Sequence, residues 1–224
     1  MNKVTLISTE HRESGKCNSG ELYRIIESIG PEVIFEEETD DDKYHSYYNQ
    51  DDSFKSLEIQ TITKYKRDYD VKNIPVDGDQ DQYLTFEEWE YLDDFFKQYT
   101  VYKQIINEHC SLRNKYGFAY LNSERCFELF KKMKITEEQL ISFSGPKRDI
   151  LTRYNTLFQK KHDVRENTML QNIYKYSKEN QYNQAVFLLG YAHRKSMEKK
   201  ISEYESNDTL ILNWSFYSEH IPDI

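Results

Sequence analysis

The residues able to activate water in this 224-residue chain fall just past its apolar, strand-like runs. Glu10 and His11 follow the run at residues 3–8, and Glu36, Glu37 and Glu38 close the run that begins at Val33. Asp77 ends a third run, and His193 comes just after Ala185-Val-Phe-Leu-Leu-Gly-Tyr191. Ligands of open parallel sheets bind beyond the carboxyl ends of the strands. Strand ends that supply two imidazoles and several carboxylates therefore read as a metal or acid/base cluster. Any one of them alone would be an ordinary loop residue; their convergence carries the reading.

The elements that must position these groups can be read from periodicity. Residues 3–8 and 32–36 are β-branched, apolar strands. Between them Leu22, Ile25, Ile26 and Ile29 share one helical face, with Ser19 as the expected N-cap and Gly30-Pro31 as the stop. Strand, helix and strand make a parallel βαβ unit with a right-handed crossover. Residues 38–52 read as a mobile loop, 53–69 as a helix and 71–76 as a third strand. A long aromatic helix is expected over 85–110, two shorter ones over 123–133 and 136–144, and a long helix from Gly145-Pro146 to about Asn180, broken near His162. The run at 185–191 is a central strand, 194–206 a helix and 209–214 a last strand. The predicted fold is α/β: one domain over 1–224, with a mostly parallel central sheet, flanking helices and a large helical insertion or cap. The core spans about 1–80 and 164–224, and the insert about 85–160.

Composition narrows the function. With 30 Lys+Arg against 39 Asp+Glu the net charge is −9, which argues against a nucleic-acid partner, since phosphate binding needs a basic stripe. Hydrophobic content is only 38%, but 19 Tyr and 12 Phe supply large rings for a core. No segment approaches the roughly 18 apolar residues of a membrane span, and the N-terminal run is too short for a signal sequence. The chain is therefore expected to be cytoplasmic. Cys17, Cys110 and Cys126 are too widely spaced for a zinc knuckle or a disulfide framework.

Thr9-x-His11, the βαβ unit, Pro31-Glu-Val-Ile-Phe-Glu-Glu37, Arg165-Glu-Asn-x-Met169 and Phe187-Leu-Leu-Gly190-x-x-His193 together resemble the TraB/TIKI superfamily. That group includes the erythromycin esterases, the GumN-like proteins and the haem-binding ChaN proteins. The resemblance covers residues 3–38 and 164–202 and leaves 40–160 unaligned. It implies that His11 and His193 are the histidines of two G-x-x-H motifs, with Ser8 standing where the first Gly is expected. It implies a Glu at the end of the second strand, either Glu36 or Glu37. Counting from Pro31 favours Glu37, and only one can enter the site because neighbouring strand residues face opposite ways. It implies that Arg165 is the positive group, against the simpler alternative of a helix salt bridge to Asp163 or Glu166. Histidines 11 and 193 with Glu36 or Glu37 would suit Mn²⁺, Co²⁺ or Zn²⁺ and lower the pKa of a bound water. Glu10 or the other carboxylate would be a general base, and Arg165 would steady an oxyanion. TIKI-like members are metal-dependent peptidases, whereas the esterase branch uses a His base without metal. The expectation is a hydrolase acting on a small-molecule or peptide substrate, with the metal and the oligomeric state left open. The rival is a non-catalytic module that binds haem, a metal or a peptide on the same fold.

Other signals are weaker. Asp77-Gly-Asp79-Gln-Asp81-Gln82 through Glu88 imitates an EF-hand loop but has Gln82 where Gly is needed and no entering helix, so a turn capping a helix at Thr85, with Glu88 completing a capping box, is the better reading. No G-x-S-x-G, P-loop or G-x-G-x-x-G motif occurs. Cys17 and His11 are joined by a loop that leaves a Cys–His pair geometrically unconstrained.

Overall fold

The computed structural model describes residues 2–41, 44, 46, 48, 55–78, 83–205 and 210–221. Five strands form one parallel sheet: β1 (Lys3–Thr9), β2 (Val33–Thr39), β3 (Lys72–Asp77), β4 (Gln184–Gly190) and β5 (Asn213–Phe216), in the order β3-β2-β4-β1-β5. The expected α/β class is therefore observed. β1 and β2 are parallel, but they are not neighbours, because β4 runs between them. β5 begins later than expected, and Thr209 lies outside the described residues.

Alternating side chains divide the sheet between two cores. On one face Val4, Leu6, Val33, Phe35, Ala185 and Phe187 pack against α6 (Arg148–Glu179) and α7 (Arg194–Glu205). On the other, Ile7, Ile34, Val186 and Leu188 pack against α1 (Ser19–Ile29), α2 (Leu57–Asp68) and the end of α4 (Thr100–Leu121). The chain leaving β1 turns toward β2 through α1, whereas the chain leaving β4 turns the other way to β5 through α7. Their helices thus lie on opposite faces. The carboxyl end of β4 is a topological switch point, the place where open α/β sheets bind ligands.

The helical insertion comprises α3 (Phe86–Lys97), α4, α5 (Glu124–Ser142) and the start of α6. It has its own apolar cluster of Leu92, Phe95, Phe96, Tyr102, Ile141 and Leu151. The single aromatic helix expected over 85–110 is two helices, since Tyr99 is extended and resets the axis between Phe96 and Tyr102. The two helices expected over 123–144 are one. Thr136, expected to start the second, turns its hydroxyl back onto the Lys132 carbonyl at 2.9 Å and lets the helix pass. α6 continues through His162 without a break. The Thr85–Glu88 capping box forms as expected, while Asn18 rather than Ser19 caps α1. α2 starts at Leu57, capped by Ser56. Within the segment expected to be a mobile loop, β2 extends to Thr39, and Tyr44, Ser46 and Tyr48 are helical. Residues 79–82 of the EF-hand-like stretch fall outside the described residues. No helix among the described residues is long and apolar enough to cross a membrane.

Candidate active site

The parity of β2 decides between its two acids. Val33 and Phe35 face α6, so Glu37 does too, while Ile34 and Glu36 face α2. Glu36 is buried and accepts hydrogen bonds from the phenols of Tyr44, at 2.7 Å, and Tyr48. Burial pushes its carboxyl up, against the lowering effect of the two phenols. Glu36 thus belongs to a separate tyrosine cluster, and Glu37 is the acid on the face of Arg165 and His193.

Arg165 on α6 reaches across to two strand ends. Its Nε donates to Asp77 Oδ2 at 2.8 Å, and its Nη2 lies 2.6 Å from the same oxygen and 2.7 Å from Glu37 Oε1. The neighbouring Asp163 and Glu166 are therefore not its partners. Burial alone would lower the guanidinium, but the Glu37 and Asp77 carboxylates raise it. The other oxygen of Glu37 accepts the Gly190 N–H at 2.6 Å. A side chain at Gly190 would meet that oxygen at 3.1 Å, so the glycine clears the space that Glu37 occupies.

His193 is almost fully buried one turn past β4 and lies between two carboxylates. Its Nδ1 is 2.8 Å from Glu166 Oε1 and its Nε2 is 3.4 Å from Glu37 Oε1. The short contact fixes the ring with Nδ1–H pointing at Glu166; the long one leaves Nε2 loosely engaged. Glu166 also accepts from Ser196 Oγ at 2.5 Å and has Lys200 Nζ at 3.5 Å. The His162 ring stacks on His193 with centroids 4.6 Å apart. Burial first, then the neighbouring His193 and Arg165, push His162 down to about 2, so it is neutral at ordinary pH.

His11 and Glu10 lie elsewhere on the rim. The sheet pairs Thr9 with Gly190, so the two strand-to-histidine motifs are out of step by one residue. His11 is exposed and pairs with Glu58 at 3.4 Å, although it shares a crevice of about 10 Å³ with Glu37 and Glu38. Its hydrogen bond to Glu58 raises it to about 9 against the opposing effect of burial, helped by the charges of Glu58, Glu37 and Glu38. Glu10 joins Arg113 and faces His109 at 3.7 Å; burial would raise it, but those two groups bring it down. At Ser8 the backbone N–H and C=O are both held by the Asn122 amide, at 2.7 and 3.0 Å, and Arg194 donates to that amide at 2.7 Å.

The chain's donors do not fit a divalent cation as they stand. Both His193 nitrogens face carboxylates, both Glu37 oxygens are engaged by N–H donors, and Arg165 already supplies positive charge between Glu37 and Asp77. Among the described residues no three His, Cys, Asp or Glu side chains are grouped to hold a metal. Glu166, His162 and Ser196 were not foreseen from the sequence. Glu166 carried a signal, because it occupies a position on the apolar face of Leu170 and Ile173 where a charge needs a buried partner. Compared with protein-family models, curated proteins and solved structures, the chain matches none.

Proposed function

We propose that the protein is a hydrolase in which His193, oriented by Glu166, is the general base toward water, as the resemblance to the TraB/TIKI superfamily suggests. The observation that carries this reading is the buried Glu166–His193–Glu37–Arg165 row at the switch point of the sheet. Nδ1–H donates to Glu166, which leaves the lone pair on Nε2, 3.4 Å from Glu37 Oε1, to take a proton from a water between the two. The resulting hydroxide adds to the carbonyl of an ester or peptide. Arg165 Nη1, which makes no hydrogen bond among the described residues, faces the developing oxyanion. Collapse of that intermediate breaks the bond to the leaving group, which takes the proton back from Nε2. Glu37 holds Arg165 in place, and His11, carrying its proton at neutral pH, adds positive charge on the far side of Glu37.

A panel of carboxylic esters and peptides, assayed with metal-stripped protein, tests the proposal. Turnover that survives stripping and is lost in Glu37→Gln supports it. Turnover that appears only with added Mn²⁺, Co²⁺ or Zn²⁺ would replace it with the metal-dependent reading. No turnover on any member, together with a bound ligand detected by calorimetry, would leave the non-catalytic module.

A further inference from the structure

One stripe of α6 supplies more than Arg165 and Glu166. Phe158, His162 and Glu166 follow one another every fourth residue, and Arg165 comes three after His162, so all four share a face of the helix. That face sets the His162 ring between two others. Its centroid is 4.2 Å from that of Phe158 and 4.6 Å from that of His193, and the two imidazole planes differ by only 27°. His162 is half-buried and neutral, and it makes no hydrogen bond or ion pair among the described residues. Its contribution is therefore the two ring contacts.

His193 needs such a contact. The χ2 torsion of a histidine has broad preferences, so its rotamer does not fix the plane of the ring. The bond from Nδ1–H to Glu166, at 2.8 Å, holds one atom of it, whereas Nε2, 3.4 Å from Glu37, is beyond a good hydrogen bond. Gly190 has no side chain to press on the ring, although a Cβ there would lie 3.7 Å from His193 Cδ2. A ring pinned at one atom can swing about it and carry Nε2 away from Glu37. The nearly parallel face of His162 opposes that swing, and Phe158 backs His162 on its other side.

We propose that His162 is a positioning residue for the general base: its ring, backed by Phe158, fixes the plane of His193 by stacking and so keeps Nε2 beside Glu37. Its part in turnover rests on the hydrolase reading; its hold on the ring does not. Steady-state kinetics and proton NMR of wild type, His162→Ala, His162→Leu and His162→Phe test it. The His193 ring protons, identified by their loss in His193→Gln, lie upfield in the wild type because a ring stacks on them. In His162→Ala they move downfield, and kcat falls about tenfold or more with KM within about twofold, as a misplaced catalytic group requires. His162→Leu, which fills the space without a flat face, behaves like His162→Ala, so a cavity is not the cause. His162→Phe, which keeps a stacked ring without its nitrogens, returns the protons upfield and restores most of kcat. Resonances that stay in place in His162→Ala and His162→Leu, an unchanged kcat in both, or a loss that His162→Phe does not repair would overturn the proposal. Resonances that move as described in a protein without turnover would count against the hydrolase reading alone. Turnover with unmoved resonances would count against the positioning role alone.

Discussion

The pairing of His11 with Glu58 makes the chain's stability depend on pH in a direction that can be worked out. The two groups are 3.4 Å apart, and His11 rises from the ordinary 6.5 to about 9 in the folded protein. A histidine raised on folding contributes stability that is fully present below 6.5 and is lost as pH rises through about 9. Taken at face value each pH unit is worth about 1.4 kcal/mol. The His11 side chain is 61% exposed, however, so water screens the pair and the net contribution is about 1 kcal/mol. Urea unfolding at pH 6 and pH 9.5 measures it, with Glu58→Gln isolating the pair from other titrations. The wild type loses about 1 kcal/mol more than the variant between the two pH values. An NMR titration of the His11 ring gives an apparent pKa well above 6.5 that returns toward it in Glu58→Gln. A ring that titrates near 6.5 in the wild type, or an equal pH loss in both proteins, would mean that the His11–Glu58 pair does not stabilise the fold.

Further outcomes follow from glycine geometry and from the orientation of His193. Gly190→Ala places a methyl 3.1 Å from the Glu37 oxygen that accepts the Gly190 N–H, while Arg165 fixes the other oxygen, so activity falls more than tenfold while urea stability changes by about 1 kcal/mol or less, as parallel rate and unfolding measurements will show. Gly117 interrupts α4 at φ 57°, ψ −132°, and a methyl there would lie 2.5 Å from the Lys16 carbonyl oxygen. Gly117→Ala therefore costs about 3 kcal/mol in urea unfolding, whereas Gly30→Ala, left-handed but with open space, costs about 1 kcal/mol. Glu166→Gln removes the anion that orients His193; kcat falls about a hundredfold or more and its pH profile changes, a readout that a purely structural role would not move.

Much of the architecture was legible because strand residues 3–8, 33–36 and 185–190 are short, apolar and bounded by turn residues. Strand order was not: the sequence places β2 after β1, and only the three-dimensional pairing reveals β4 between them. The site was legible as strand ends, which named Glu37, Asp77 and His193, and as the motif that named Arg165. Between Glu36 and Glu37 only the count from Pro31 favoured Glu37, because β2 is buried on both faces and hydrophobic parity gives no direction. The equivalence of His11 and His193 failed for a one-residue reason: Thr9, not Ser8, pairs with Gly190, and His11 turns out to Glu58 while His193 turns in to Glu37. Glu166 and His162 escaped because a helix 32 residues long shows several faces, and only its partners reveal which one is functional.

In the proposed hydrolase, His193 and not the equally conspicuous His11 abstracts the proton from water. Hydrolysis rates of wild type, His193→Ala and His11→Ala on one common substrate at pH 7 separate the two histidines. His193→Ala loses about 10²- to 10⁴-fold, while His11→Ala stays within about tenfold of wild type. An active His193→Ala protein, or a His11→Ala protein with the larger loss, would take the base role away from His193.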